Sequence, residues 1–335
     1  MNSASFGDMA HHLLLRRKSA SLKAKLPVLS HEMTTGKFKD KALKLNGQLG
    51  ILAGLEKSLS RAKTHASTAQ SVTQFLNQQE LVIKELTTLA TDSMSGMAPV
   101  MQNGSERDVT RVLSDAGDVF ASAISVINTR FAGRSIFSGI ATTQAAIAPS
   151  EQILDLLFSE VTMPTSVFAI SDIVDEWFSP GGGFDAAGYL GSSQSPAPVH
   201  IGSGRFVKND VTAQDTAIRV ALAAFAKPAL FGKLNINHPS PNAHAGLQEA
   251  YFSLLSSERA LIELGARIGS NQEKALTGLL RAETEKTSLS LARAELIASD
   301  PYEAASKFEN AITLIDTVYA LTARASRLTL SDYLK

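Results

Sequence analysis

The last ninety or so residues, His244 to Lys335, constrain this chain more than any other stretch. Leu247 to Leu296 contains no proline, and its apolar residues return at helical spacing. Leu254, Leu261, Ile268 and Ala275 fall seven apart, with Leu264 in the alternate position. After a break at Asp300-Pro301, a second row runs Ala304, Phe308, Ala311, Ile315, Val318, Thr322 and Ala325. Steps that alternate four and three keep one seam turned toward a partner helix. A helix of about fifty residues is about 75 Å long, wider than a compact domain. A rod is expected.

The upstream chain supplies partners for that seam. Residues 10–35 read as an amphipathic helix: Leu15, Leu22 and Leu29 are seven apart, and Leu26 and Met33 each follow one of them by four. Pro27 lies inside this pattern and predicts a kink, because it removes a backbone donor. Gly36 beside Lys37 is a stop signal. A second helix is expected over about 42–94. Its heptad of Leu45, Leu52, Leu59 and Ala66 slips near Ser67–Ser71 and resumes as Val72, Leu76, Gln79, Ile83, Leu86 and Ala90. Met94–Gly104, with Gly96 and Pro99, reads as a loop. A third helix follows from Ser105 to about Arg130. Its two rows, Leu113/Phe120/Ile127 and Val109/Ala116/Ala123, imply burial on more than one side.

The pattern then changes. Phe131 to Gly139 alternates short apolar residues between glycines, which suits a small strand or hairpin. Ten of the eleven prolines lie at Pro99 or later. Between about Ala145 and Asn242 the chain offers helical pieces at 150–158, 170–178 and 213–227. It also offers a loop at Ser179–Gly183 and a hairpin across His200–Val211 turning at Gly202-Ser203-Gly204. His238-Pro239-Ser240-Pro241 marks the return to helix. The expected fold is therefore mainly α: an elongated rod of long antiparallel helices in a coiled-coil-like bundle, with nested termini. A small α+β domain is inserted at the far end.

Several function classes are disfavoured. Lys+Arg and Asp+Glu balance at 32 each, so no net field draws the chain to nucleic acid or to an anionic membrane. The absence of cysteine removes disulfides, thiol catalysis and thiolate metal sites. Leu13-Leu14-Leu15 before Arg16-Arg17-Lys18 is too short for a secretory signal and has its charges on the wrong side. No apolar run approaches the roughly 20 residues of a membrane span. His11 and His12 diverge by about 100° on a helix. His238 and His244 have no carboxylate at ligand spacing, and no His-Glu-x-x-His occurs. Gly181-Gly182-Gly183 lacks the lysine of a phosphate loop and reads as a turn, as does Gly202-Ser203-Gly204. No catalytic, cofactor or metal residue is expected, and the chain is expected not to be an enzyme. Trp177, Phe178 and Tyr189 suit the core of the small domain; a stacking face for a surface glycan is the alternative.

The candidate functional surface lies in the terminal helices. Leu15, Leu22, Leu26 and Leu29 on the first, and Phe308, Ile312, Ile315, Val318, Tyr319 and Leu328 on the last, are the expected subunit-packing residues. The second helix carries further rows, Ile312/Tyr319 and Leu314/Leu321/Leu328. A short helix with several apolar rows needs neighbours on several sides. These ends are expected to be poorly ordered alone and to complete their packing against other subunits.

Four segments carry a resemblance. They are Ser30-His31-Glu32-Met33-Thr34-Thr35-Gly36-Lys37, Gly133-Arg134-Ser135-Ile136-Phe137-Ser138-Gly139, Leu264-Gly265-Ala266-Arg267, and Asp300-Pro301-Tyr302-Glu303-Ala304-Ala305 with the ending Leu330-Ser331-Asp332-Tyr333-Leu334. In this order they resemble the flagellin-like axial proteins of the bacterial flagellum, and among those the hook–filament junction proteins, with the filament subunit as the alternative. The resemblance covers both arms and not the inserted segment. It implies export through the flagellar type III channel without a cleaved signal, and an extracellular place in the flagellum. It implies three domains: 1–41 with 300–335, 42–145 with 244–299, and an exposed 146–243. The implied partners are hook-associated protein 1, flagellin, copies of the chain itself in a ring and a cytoplasmic export chaperone, with neither nucleic acid nor membrane. Phe38-Lys39-Asp40-Lys41 departs from the family, which has an asparagine or serine and then a paired-aspartate segment there. Pro27 is also unusual.

Overall fold

The computed structural model describes residues 3–161, 166–237 and 243–333, with side chains over 10–161, 166–234 and 243–324. It is mainly α, with long antiparallel helices and two two-stranded sheets among the described residues. The helices are α1 (Ser3–Thr35), α2 (Lys41–Lys44), α3 (Leu49–Asn103), α4 (Glu106–Ile127), α5 (Ser150–Glu160), α6 (Val167–Phe178), α7 (Thr216–Asn237), α8 (Ala243–Leu296) and α9 (Pro301–Tyr333). The strands are β1 (Arg130–Phe131) with β2 (Arg134–Ser135), and β3 (Val199–His200) with β4 (Phe206–Val207), both pairs antiparallel. Packing divides the chain into two units, residues 1–63 with 284–335 and residues 64–283.

In the first unit α1 and α9 pair as antiparallel helices. Gly36 takes a left-handed φ of +63° and ends α1, its amide bonding Glu32 O at 2.9 Å. The chain then pairs across Lys37 and Ala298, with Phe38 N to Ile297 O at 3.0 Å and Ser299 N to Gly36 O at 2.9 Å. Asp300 accepts from Tyr302 N at 2.8 Å, so Asp300-Pro301 is an N-cap followed by proline in the first turn, where no donor is missed. Leu22, Ala304, Ala311, Ile315 and Val318 are buried along the seam. Pro27 does not end α1: the helix continues through it, with the proline ring on the exposed side. The departing segment Phe38–Lys41 closes locally, Asp40 capping α2 by accepting from Leu43 N at 3.0 Å.

In the second unit the heptad residues of α8 (Leu254, Leu261, Leu264, Ile268 and Ala275) are all buried. On α3 the buried row runs Ala66, Ala69, Val72, Leu76, Gln79, Ile83, Leu86, Ala90, Met94 and Met97. The two successive steps of three at Ala66–Ala69–Val72 are the expected slip, absorbed within one continuous helix. The expected loop at Met94–Gly104 is instead, as far as Asn103, nearly three further turns of α3. Burial of Met94 and Met97 on the core face outweighs the donor lost at Pro99, which sits on the exposed side. The second helix, expected from about residue 42, is likewise broken at Leu45–Gln48, where Asn46 and Gly47 have positive φ.

α4 begins at Ser105, whose hydroxyl and the Asp108 carboxylate form a reciprocal capping box. Its neighbour α7 runs ten residues past the expected end at 227, through Pro228. The hairpin expected within Phe131–Gly139 is formed by Arg130–Ser135 and turns at Ala132-Gly133, both at positive φ. Ile136 to Gly139 then pass beneath it, buried. Phe137 O accepts Ala213 N at 2.9 Å and Ser138 O accepts Ser192 N at 2.9 Å. Asn128 holds this crossing with three bonds of 2.9 Å to Ala146 and Ile147. Residues 146–234 thus share one hydrophobic core with 69–127 and 247–275. The three-part division at 41/300 and 146/243 remains a proposal about assembly, not a boundary in this packing.

A candidate assembly surface

α1 and α9 bury only one row each against one another. Of the ten subunit-packing candidates, Leu22, Ile315 and Val318 are buried in the seam. Leu15, Leu26, Leu29 and Phe308 are half-buried beside it. Ile312 and Tyr319 remain 40% and 47% exposed, and Leu328 lies outside the described side chains. Leu314 and Leu321 are exposed on the opposite flank of α9, and Leu13 and Leu14 on α1 are 54% and 64% exposed. The structure therefore brings the seam together and leaves the additional rows uncovered.

A groove runs beside the seam. Ala10, Leu13, Leu15, Ala20 and Val318 give it an apolar floor, and His12, Arg16, Lys23 and Tyr319 form its rim. The Lys23 ammonium lies 5.1 Å from the Tyr319 ring centroid. Hydrogen bonds from Lys23 and Ser19 hold the Tyr319 phenol below its ordinary pKa. No spacing in the sequence marks this groove, because its lining comes from both α1 and α9. Leu13-Leu14-Leu15 and Arg16-Arg17-Lys18 were legible as a short apolar run and a solvated charge run, and their shared edge depends on where α9 lies.

A second polar constellation fixes the second unit internally. Arg219, 5% exposed, donates from Nε to Gln214 O at 2.8 Å, and from Nη1 to Phe178 O at 3.1 Å and Ser179 O at 3.2 Å; it also pairs with Asp185. Burial pushes the Asp185 carboxyl up, but the Gly181 amide, Arg219 and Gln214 outweigh it and leave its pKa lowered. Trp177, Phe178, Phe184 and Tyr189 stack around this lock, all buried, and Tyr189 Oη donates to Ser192 O at 2.9 Å. These rings are core and present no stacking face to a glycan. Lys227, also buried, bonds Asp175 at 2.8 Å and Ser253 at 3.0 Å. Arg267 of the Leu-Gly-Ala-Arg segment pairs with Asp215 at the start of α7. Every one of these charges is spent on the fold.

Among the described residues no three His, Asp or Glu side chains cluster as metal ligands, and no helix is long and apolar enough to cross a membrane. His238 lies outside the described residues, and His11, His12 and His244 belong to no such cluster.

Residues 9–142 match the family model of the bacterial flagellin N-terminal helical region. No curated protein matches the sequence. A solved structure of a Vibrio parahaemolyticus protein, assigned as a flagellar hook-associated protein, superposes with a TM-score of 0.51 at 16% identity. The match covers 73% of this chain and 95% of that one. FlgL of Bacillus cereus matches at 12% identity and a TM-score of 0.48, over 74% of this chain and 98% of that one. The chain is therefore flagellin-like in sequence over residues 9–142, and over most of its length it shares the fold of the Vibrio protein.

Proposed function

We propose that this chain is a structural, non-catalytic protein of the flagellar axis, of the kind called hook-associated protein 3, which joins the hook to the flagellin filament. One observation carries the reading. The terminal helices pair with each other yet leave Leu13, Leu14, Ile312, Leu314, Tyr319 and Leu321 uncovered, and apolar rows of this kind are completed by neighbouring subunits. The flagellin-type N-terminal region and the four ordered segments support the flagellar setting. Copies of the chain would form a ring. Hook-associated protein 1 would lie on the hook side and flagellin on the filament side, and an export chaperone would cover α9 before secretion through the type III channel to the cell exterior.

The test is complementation. In a strain deleted for the gene, full-length protein restores attached filaments, whereas a chain lacking residues 301–335 is made, folds over 64–283 and restores none. Full rescue by the truncated chain would overturn assembly through the terminal helices.

A further inference from the structure

α1 carries a charge imbalance that the fold does not resolve. Between Met9 and His31 stand Arg16, Arg17, Lys18, Lys23 and Lys25, with no aspartate or glutamate. In the first unit Arg293 pairs with Glu56 and Lys307 with Glu303, and among the described residues none of these five cations meets a carboxylate. Two of them, Arg16 and Lys23, edge the apolar groove. They are seven residues apart, and so are the floor residues Leu13 and Ala20. The compensating charge is on α9. Glu309 and Asp316 have no cation partner among the described residues and lie beside the half-exposed Ile312 and Tyr319. These pairs too are seven apart, a rise of about 10.5 Å on either helix.

We infer that the groove edged by Arg16 and Lys23 receives the α9 ridge of Glu309, Ile312, Asp316 and Tyr319 from a second copy of this chain. The inference rests on the terminal helices being the assembly device and adds which faces meet. Each apolar pair finds an apolar pair, and each cation an anion, in one register. Within one molecule α9 turns its other row, Ala304 to Val318, toward α1; of the ridge, Tyr319 also leans on Lys23 at the rim of its own groove, while Glu309, Ile312 and Asp316 stay uncovered for a neighbour. Matched charges of this kind select the partner and register, and they make association salt-dependent.

The experiment is sedimentation of the full-length protein at low and high salt, with two charge-reversed variants, R16E/K23E and E309K/D316K. The wild type is expected to self-associate, at least about fivefold more weakly at 0.5 M than at 0.05 M salt. Each variant alone is expected to associate about tenfold more weakly, and an equimolar mixture of the two to recover most of the loss. Because Lys23 also touches Tyr319, R16E alone is run as a second probe, with helicity checked by circular dichroism. Self-association of folded variants at wild-type strength, or no recovery on mixing, overturns the groove-and-ridge contact. If the wild type nevertheless associates and removal of 301–335 abolishes it, the terminal helices still assemble and only their meeting faces are wrong. A wild type that stays monomeric at every concentration and salt overturns both.

Discussion

Arg219 shows how much of the second unit depends on one side chain. It satisfies three carbonyls and one carboxylate, and it ties the end of α6 and the turn at 181–188 to the start of α7. Removing it strands those acceptors, so Arg219→Ala is expected to cost about 3–5 kcal/mol, read as a lowered urea midpoint with unchanged slope. The linkage has a definite sign. The Asp185 carboxyl is held below its ordinary pKa, so its contribution is present above about pH 4 and is lost as pH falls through the folded value. Asp185→Asn should therefore flatten the decline of stability on acidification below about pH 4, measured by urea titrations across that range. The sequence gives no sign of this lock, because its partners lie about forty residues apart and share no spacing. Trp177, Phe178 and Tyr189 suit a core in the sequence, but only their burial beside Phe184 decides between core and exposed stacking face.

Glycines at the helix contacts make predictions of opposite sign. A Cβ on Gly232 of α7 would stand 2.1 Å from the Leu113 carbonyl oxygen of α4, a backbone atom that cannot swing aside. Gly232→Ala is expected to destabilise by about 3 kcal/mol, by thermal or urea unfolding. Gly96 of α3 has open space where its Cβ would go, so Gly96→Ala should stabilise by about 0.5–1 kcal/mol in the same assay. The helices themselves were largely readable. Leu254, Leu261, Ile268 and Ala275 are buried where their spacing put them, and Ser105 caps α4 as its position suggests. The error fell on Pro99, whose local preference is outweighed by the buried row on the helix's other side. The terminal rows were legible too, whereas the groove beside them was not, because it belongs to two helices almost three hundred residues apart.

Across the whole molecule, the two units differ in how completely they cover their own apolar surface. Residues 64–283 hold a continuous core stabilised by buried ion pairs, while α1 and α9 form a pair with apolar rows still to cover. In dilute solution a nonspecific protease is expected to trim residues 1–35 and 301–335 first and to spare 64–283, read by mass spectrometry; protection of both tails to the same extent as the core would count against this division. The most direct test of the central claim is the phenotype of cells deleted for the gene. A structural junction predicts hooks retained on the cell with intact flagellin shed into the medium. Attached filaments and normal swimming would contradict it, and loss of the filament protein itself would make this chain the filament subunit instead.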